Sequence, residues 1–113
     1  MQTNGIVRSY MQQVMSSEDF LKYVAGIMEN QLHEWDVNYE VFVMKWPDYE
    51  MVVKNGEKYY HAELSVQDLE VLHLKGLFEL DKRLWIDLME KGLPFGDDYG
   101  NYLSTVFHGA HKA

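Results

Sequence analysis

The residues with the clearest catalytic potential are His61, Glu50 and Lys45, which lie in a β-rich segment in the middle of the chain. If the strands pair as set out below, Glu50 stands between Lys45 and His61 on one sheet face. A carboxylate beside an imidazole can orient the ring and raise its pKa for general base chemistry. No nucleophile or oxyanion donor is apparent nearby, and cross-strand charge pairs of this kind are common on exposed faces. We therefore expect a protein without catalytic activity, and an enzyme that uses His61 and Glu50 is an alternative.

Metal binding has weaker support in the sequence. His108 and His111 are three residues apart and could share a metal on one helical turn, but a site needs a third ligand. Gly109 between them predicts that the helix ends before His111. The chain also has no cysteine, which excludes thiolate metal sites and disulfides. We predict neither a metal nor another cofactor.

Acidic and aromatic residues suggest a different chemistry, the recognition of a basic partner. No basic residue occurs between Lys22 and Lys45, although four acidic residues do. Carboxylates bind Lys and Arg side chains, and exposed tyrosines often contribute much of the binding energy at protein interfaces. The predicted contact residues are Glu29, Glu34, Asp36, Glu40, Val43, Val52, Tyr59, Asp97, Asp98 and Tyr99.

A three-stranded antiparallel meander over about 39–64 must position these side chains. Asn55-Gly56 is the sequence that type I′ hairpin turns prefer, and Pro47-Asp48 suits the centre of a type I turn. Two-residue loops at both places would put Lys54 opposite Glu57, and Lys45 opposite Glu50.

This register sorts the strand residues into two faces, because alternate side chains point to opposite sides of a sheet. The predicted inner face, which the helices should cover, carries Phe42, Met44, Trp46, Tyr49, Met51, Val53, Tyr60, Ala62 and Leu64. The predicted outer face includes an apolar cluster of Val41, Val43, Val52 and Tyr59. Such a cluster indicates either a covering helix or a contact surface.

Helical periodicity surrounds the meander on both sides. Apolar spacing and capping residues predict helices over about 5–15, 18–35, 66–91 and 98–108, with a possible break of the third at Gly76. The result is a single α+β domain over 1–113, in which 1–4 and 109–113 are expected to be frayed.

Composition bounds the function classes. The chain has 113 residues, of which 47% are hydrophobic, so it can bury one core without disulfides. Its net charge of −8 argues against direct binding to duplex nucleic acid, which needs a basic surface. Neither a signal peptide nor an apolar segment of membrane-spanning length is evident, and we expect a cytoplasmic protein without membrane contact.

These observations favour a small acidic interaction protein of the inhibitor or immunity type, of bacterial or phage origin, that regulates a basic protein partner. A homo-oligomeric structural subunit, such as a dimer that pairs through the outer sheet face, is the alternative among non-enzymes.

Overall fold

A computed structural model describes residues 1–108, which form five α-helices and one three-stranded antiparallel sheet. The helices are α1 (Gly5–Val14), α2 (Ser17–Trp35), α3 (Val66–Lys75), α4 (Glu79–Glu90) and α5 (Tyr102–His108), and the strands are β1 (Glu40–Lys45), β2 (Tyr49–Asn55) and β3 (Lys58–Leu64). The strands pair in the order β1-β2-β3, so the predicted α+β fold with a central meander is confirmed.

Side-chain caps set most helix boundaries close to the predicted ones. The hydroxyls of Ser16 and Ser65 accept hydrogen bonds from backbone N–H groups in the first turns of α2 and α3. The predicted break at Gly76 is present, since α3 ends just before it and α4 starts three residues later. Helix α5 begins later than predicted, because the carboxylate of Asp98 accepts hydrogen bonds from the N–H groups of Gly100 and Ser104 and holds a turn ahead of the helix.

The second hairpin has the predicted faces but a different register. Its two-residue turn is Gly56-Glu57, and Asn55 pairs with Lys58. Of the two turn residues, Gly56 takes a positive φ, of 63°, as in turns that place glycine at the first central position. The register thus differs by two residues from the prediction, and a shift of two leaves each side chain on the same face.

The first hairpin corrects the prediction. Its loop holds three residues, 46–48, because the N–H of Trp46 donates to the carbonyl of Asp48 at 2.8 Å and Lys45 pairs with Tyr49. The difference of one residue turns every β1 side chain to the opposite face. The indole of Trp46, predicted to be in the core, is 94% exposed.

The β1 residues therefore exchange places. Val41 and Val43 face inward and are half-buried against the core, so their placement on the outer face was wrong. Phe42 and Met44 face outward, so their placement on the inner face was wrong as well.

One core lies between the inner sheet face and the helices. Helix α2 contributes a buried apolar stripe that includes Phe20, Val24 and Met28. Met51 and Val53 of β2 are buried in the same cluster. Every apolar residue predicted for the inner face of β2 and β3 belongs to it, namely Tyr49, Met51, Val53, Tyr60, Ala62 and Leu64. Lys58, also predicted for that face, is exposed.

Helix α1 packs in an unexpected orientation. Its apolar residues follow helical spacing, which normally marks the buried face. In the structure its one buried residue is Arg8, while Ile6, Tyr10 and Val14 are exposed. Residues 1–4, predicted to be frayed, lie against the start of α5, where the Met1 carbonyl accepts hydrogen bonds from backbone N–H groups. The prediction for 109–113 lies outside the described residues.

Candidate functional site

The outward sheet face forms the most distinctive surface of the described chain. We define the outer face as Glu40, Phe42, Met44, Glu50, Val52, Lys54, Tyr59, His61 and Glu63, the residues that alternate with the inner ones. Phe42 and Met44 are each nearly half exposed, and Tyr59 is more than half exposed. None of its apolar side chains joins the core cluster. The face therefore presents large apolar groups to solvent.

Val52 lies at the centre of the outer face. It pairs with Phe42 on one side and with His61 on the other. It is only 6% exposed, although it lies outside the core cluster. We attribute this burial to its larger cross-strand neighbours, which shield it within the sheet. The outer face thus has a shielded apolar centre surrounded by partly exposed rings and a thioether.

Carboxylates border this apolar centre. Glu40 lies 3.7 Å from Lys54, and Glu50 Oε2 lies 2.7 Å from His61 Nδ1. Glu63 pairs directly opposite Glu50, and like charges in that position repel. Within residues 1–108, Glu63 makes no ion pair. A cation brought against this edge would relieve the repulsion between the two glutamates.

The first hairpin loop adds a concave end to the outer face. A depression of about 210 Å³ is lined by Trp46, Pro47, Asp48, Tyr49, Glu50 and Glu63. It combines one highly exposed indole with three carboxylates. Indole faces and carboxylates both attract Lys and Arg side chains.

The predicted His61–Glu50 contact is present, but the Lys45 contact is not. His61 and Glu50 meet diagonally across β2 and β3, whereas the predicted register had them directly opposite. Lys45 pairs with Tyr49 and places its amino group 3.6 Å from Glu18. In residues 1–108 neither His61 nor Glu50 has a hydroxyl hydrogen-bond partner. The geometry matches a surface hydrogen bond between an imidazole and a carboxylate on the outer face.

Two of the predicted acidic contact residues bond to backbone groups of neighbouring segments. The carboxylate of Glu29 accepts a hydrogen bond from Val41 N at 3.0 Å, which ties α2 to the free edge of β1. Asp36 accepts from Asn38 N at 2.9 Å and from Asn55 Nδ2 at 3.1 Å. The Asn38 backbone bond, and then the Asn55 bond, lower the pKa of Asp36. Both carboxylates support the fold, whatever else they contact.

The structure brings several other predicted residues together at the end of α2. Trp35 Nε1 donates to the carbonyl of Asp97 at 2.7 Å, which holds the 93–101 loop beside Glu34 and Asp36. Glu34 lies 2.8 Å from the amino group of Met1. Tyr99 is largely exposed. Most of the predicted contact residues thus fall into two groups, one at this end of α2 and one on the outer face, while Glu29 and Val43 belong to neither.

A buried polar network was not predicted. The guanidinium of Arg8 forms two hydrogen bonds with the Asp81 carboxylate, at 2.5 and 3.0 Å, and a third with the Leu77 carbonyl at 3.0 Å. Tyr102 Oη donates to Asp81 at 2.5 Å and accepts from Trp85 Nε1 at 3.1 Å. Arg8 and Asp81 are at most 1% exposed. This network joins α1, α4 and α5 through one carboxylate.

Burial and pairing act in opposite directions on the charges of this network. Burial raises the pKa of Asp81, and the hydrogen bonds and charge of Arg8 oppose that rise. Burial alone would lower the pKa of Arg8, but the hydrogen bonds and charge of Asp81 raise it above its ordinary value. Burial, and then the charge of Asp81, raise the pKa of Tyr102 well above its ordinary value. Arg8 is therefore charged. Its contacts with Asp81 compensate for the loss of water around the buried guanidinium.

A second polar contact joins the first three helices. His73 is buried and stacks on Phe20 with ring centroids 4.7 Å apart. Its Nδ1 lies 2.9 Å from the Ser17 hydroxyl, and its Nε2 lies 2.8 Å from the Gln12 carbonyl. Gln12 Nε2 donates in return to the His73 carbonyl at 2.8 Å. His73 is thus a hydrogen-bonded core residue that fastens α1 and α2 to α3.

Comparison with known proteins gives no assignment: no protein-family model, no curated protein and no solved structure matches this chain. Across residues 1–108, no helix is both long enough and apolar enough to cross a membrane. Within that same range, no group of three or more His, Cys, Asp or Glu side chains is placed to hold a metal ion. The function must be argued from the surface itself.

Proposed function

We propose that this protein is an interaction module that binds a basic protein partner through its outer face and the adjoining Trp46 loop. The observation that carries the proposal is the exposure of Phe42, Met44, Trp46 and Tyr59 on one side of the molecule, next to carboxylates. One of these carboxylates, Glu63, makes no ion pair within residues 1–108. Binding, and not catalysis, is the use that this combination supports.

The apolar part would supply most of the affinity. Aromatic side chains dominate the energetics of protein interfaces, and a central cluster excludes water from the contact. Phe42 and Tyr59 flank the shielded Val52, and Trp46 extends the contact at one end. Trp46 is 94% exposed. Its burial by a partner would therefore remove more apolar surface from water than the burial of any other residue of this contact surface.

The carboxylates would supply specificity. Glu40, Glu50 and Glu63 border the apolar centre, and Asp48 lies at the Trp46 loop. A partner with Lys and Arg around an apolar patch would pair with these groups and would be attracted over a distance by the net charge of −8.

The same charges argue against the alternative in which the protein pairs with itself through this face. A two-fold contact would place the two copies' glutamates close together, at a cost in free energy. Val43, which the sequence assigned to that contact, faces the core side. The outer face therefore suits a basic partner better than a second copy.

The test is a binding experiment with matched variants. Immobilised wild-type protein should capture a basic protein from a lysate of the source organism, and the purified partner should then bind in a titration. Trp46→Ala and Glu63→Gln should each weaken that affinity, whereas Tyr99→Ala and Glu70→Gln, which remove an aromatic ring and a charge elsewhere, should leave it unchanged.

Salt provides the second measurement. Affinity should fall steeply as ionic strength rises, because screening acts on exposed charges. The proposal would be refuted if Trp46→Ala captured the partner as well as wild type does. It would also be refuted if the affinity of the purified partner changed neither with Glu63→Gln nor with salt. Circular dichroism of each variant confirms that the fold is retained.

A further inference from the structure

Helix α1 exposes an apolar stripe that neither the core nor the proposed partner surface uses. Ile6, Tyr10 and Val14 are spaced four residues apart, and Val7 lies seven before Val14, so the four occupy one side of the helix. Ile6 is 83% exposed, and Tyr10 is 61% exposed. An apolar stripe of this width normally faces a core.

Polar anchors on the opposite side explain how α1 docks without using that stripe. Arg8 binds Asp81 and the Leu77 carbonyl, and Gln12, one turn later, binds His73. Asn4 caps the helix by accepting hydrogen bonds from two N–H groups of its first turn. The helix is therefore held in place by hydrogen bonds on its inner side, and its apolar side is available for contact.

The charge on α1 indicates what that contact is. Arg8 is the one charged residue of the helix, and it is buried in an ion pair. The exposed side of α1 therefore carries no charge, on a chain whose net charge is −8. Two copies of an acidic protein can approach most easily where neither presents charge. A membrane surface is a poorer match, since amphipathic helices that bind anionic lipid carry exposed Lys or Arg.

We propose that α1 pairs with α1 of a second copy of this chain, in an antiparallel contact across a two-fold axis. In that arrangement Tyr10, in the middle of the stripe, meets its own counterpart, and Ile6 meets Val14 of the second copy. The helix is only about 15 Å long, so the contact buries less surface area than a typical stable interface does. The dimer is therefore weak and forms at high protein concentration.

Sedimentation equilibrium over a wide concentration range tests the proposal. Wild-type protein should dimerise, and Tyr10→Asp should raise the dissociation constant by about tenfold or more, because the two-fold axis places the change in both halves of the interface. The matched control is Val37→Asp, which puts the same charge on an exposed apolar residue outside α1 and should leave the constant unchanged. A wild-type protein that stays monomeric would overturn the proposal.

Two further outcomes would also overturn it. If Phe42→Asp abolishes the dimer and Tyr10→Asp does not, the outer face is the self-interface. If monomeric wild-type protein binds neutral lipid vesicles and Tyr10→Asp prevents this, the stripe is a membrane contact. Melting curves of all variants verify folding, and Tyr10 lies outside the buried network, so its substitution should leave the core intact.

Cross-linking gives an independent readout. The chain has no cysteine, so Tyr10→Cys introduces a single thiol. At the two-fold axis this thiol should form an intermolecular disulfide under mild oxidation, at a rate well above that of Val37→Cys at equal concentration. Equal rates would contradict the proposed pairing. Because α1 and the outer face are separate surfaces, Tyr10→Asp should still bind the basic partner, so either proposal can fail alone.

Discussion

The Arg8–Asp81 pair offers the sharpest test of how the molecule is held together. Both side chains are almost completely buried, and two hydrogen bonds join the guanidinium to the carboxylate. Removal of one member of a buried pair leaves a desolvated charge and costs about 3–5 kcal/mol. We therefore expect Arg8→Met and Asp81→Leu each to lower the free energy of unfolding by about that amount.

The expected losses are large for a protein of this size. Typical stability is roughly 6–17 kcal/mol for 113 residues. An unfolding entropy of about 240 cal/mol/K, from about 2.1 cal/mol/K per residue, converts the loss into a fall in melting temperature of roughly 12–21 °C. Either single variant should thus be folded but clearly less stable than wild type, and α1 should lose amide-exchange protection first, since Arg8 is its one buried residue.

The double variant distinguishes pairing from mere burial. Arg8→Met with Asp81→Leu removes both charges, and replacement of a buried ion pair by apolar groups is often nearly neutral. Tyr102 would still lose its acceptor, at a cost of about 1–3 kcal/mol, so the double variant should be more stable than either single variant. Chemical denaturation of the four proteins supplies the cycle.

The pH dependence of Arg8→Met is a further arm of the same test. Without Arg8, burial would raise the pKa of Asp81 further above its ordinary value, and the folded state would then bind a proton more tightly than the unfolded state does. A raised carboxyl pKa makes folding more favourable as the pH falls. The deficit relative to wild type should therefore shrink between about pH 7 and about pH 5. Single variants that each lower the free energy of unfolding by less than about 1 kcal/mol would refute this reasoning. So would a double variant whose loss equals the sum of the two single losses.

Four other outcomes follow from the structure. Gly56→Ala should destabilise the protein by about 1 kcal/mol, because φ is positive at that residue. Gly26→Ala should stabilise it by about 0.5–1 kcal/mol, because Gly26 lies in a helix with open space around the added methyl group. Denaturant titration measures both changes. Ser17→Ala removes a hydrogen bond to buried His73 and should cost about 1–3 kcal/mol, read from the same titration. Backbone and then side-chain hydrogen bonds lower the pKa of Asp36 in the folded state. The carboxylate therefore contributes to stability above its ordinary pKa of 3.8, and this contribution is lost as the pH falls through the pKa of the folded state. Asp36→Asn should flatten the acid-denaturation curve in that range.

Much of the fold could be predicted because its signals are local. Capping serines, the glycine at 76 and helical spacing are all readable within a few residues, and the helix bounds agree closely with them. The faces of β2 and β3 were also predictable, because an error of two residues in the second hairpin leaves every side chain on its own side.

The first hairpin shows where local signals are insufficient. Pro47 and Asp48 predict a turn, but they do not distinguish a loop of two residues from one of three. That single residue decides which side of β1 faces solvent. Phe42 and Met44, which belong to the proposed contact surface, were consequently assigned to the core. Both sides of β1 carry large apolar residues, so hydrophobic pattern could not correct the error.

The buried network and the inverted packing of α1 have no local signal. Arg8 and Asp81 are 73 residues apart, and each occurs in a helix where a charged residue would ordinarily face water. Apolar spacing in α1 correctly predicts a helix but assigns its buried side wrongly, since polar anchors, and not apolar contacts, hold it. Contacts between distant segments decide both features.

We propose the outer face as the binding surface for a basic partner. The most direct test is a titration of isotope-labelled protein with the captured partner, or with an arginine-rich peptide taken from it, followed by amide chemical shifts. The shifts should cluster at the Trp46 loop and at five outer-face residues, namely Phe42, Met44, Val52, Tyr59 and His61. They should diminish as salt is added. Shifts confined to the helices, with the outer face unchanged, would contradict the proposal.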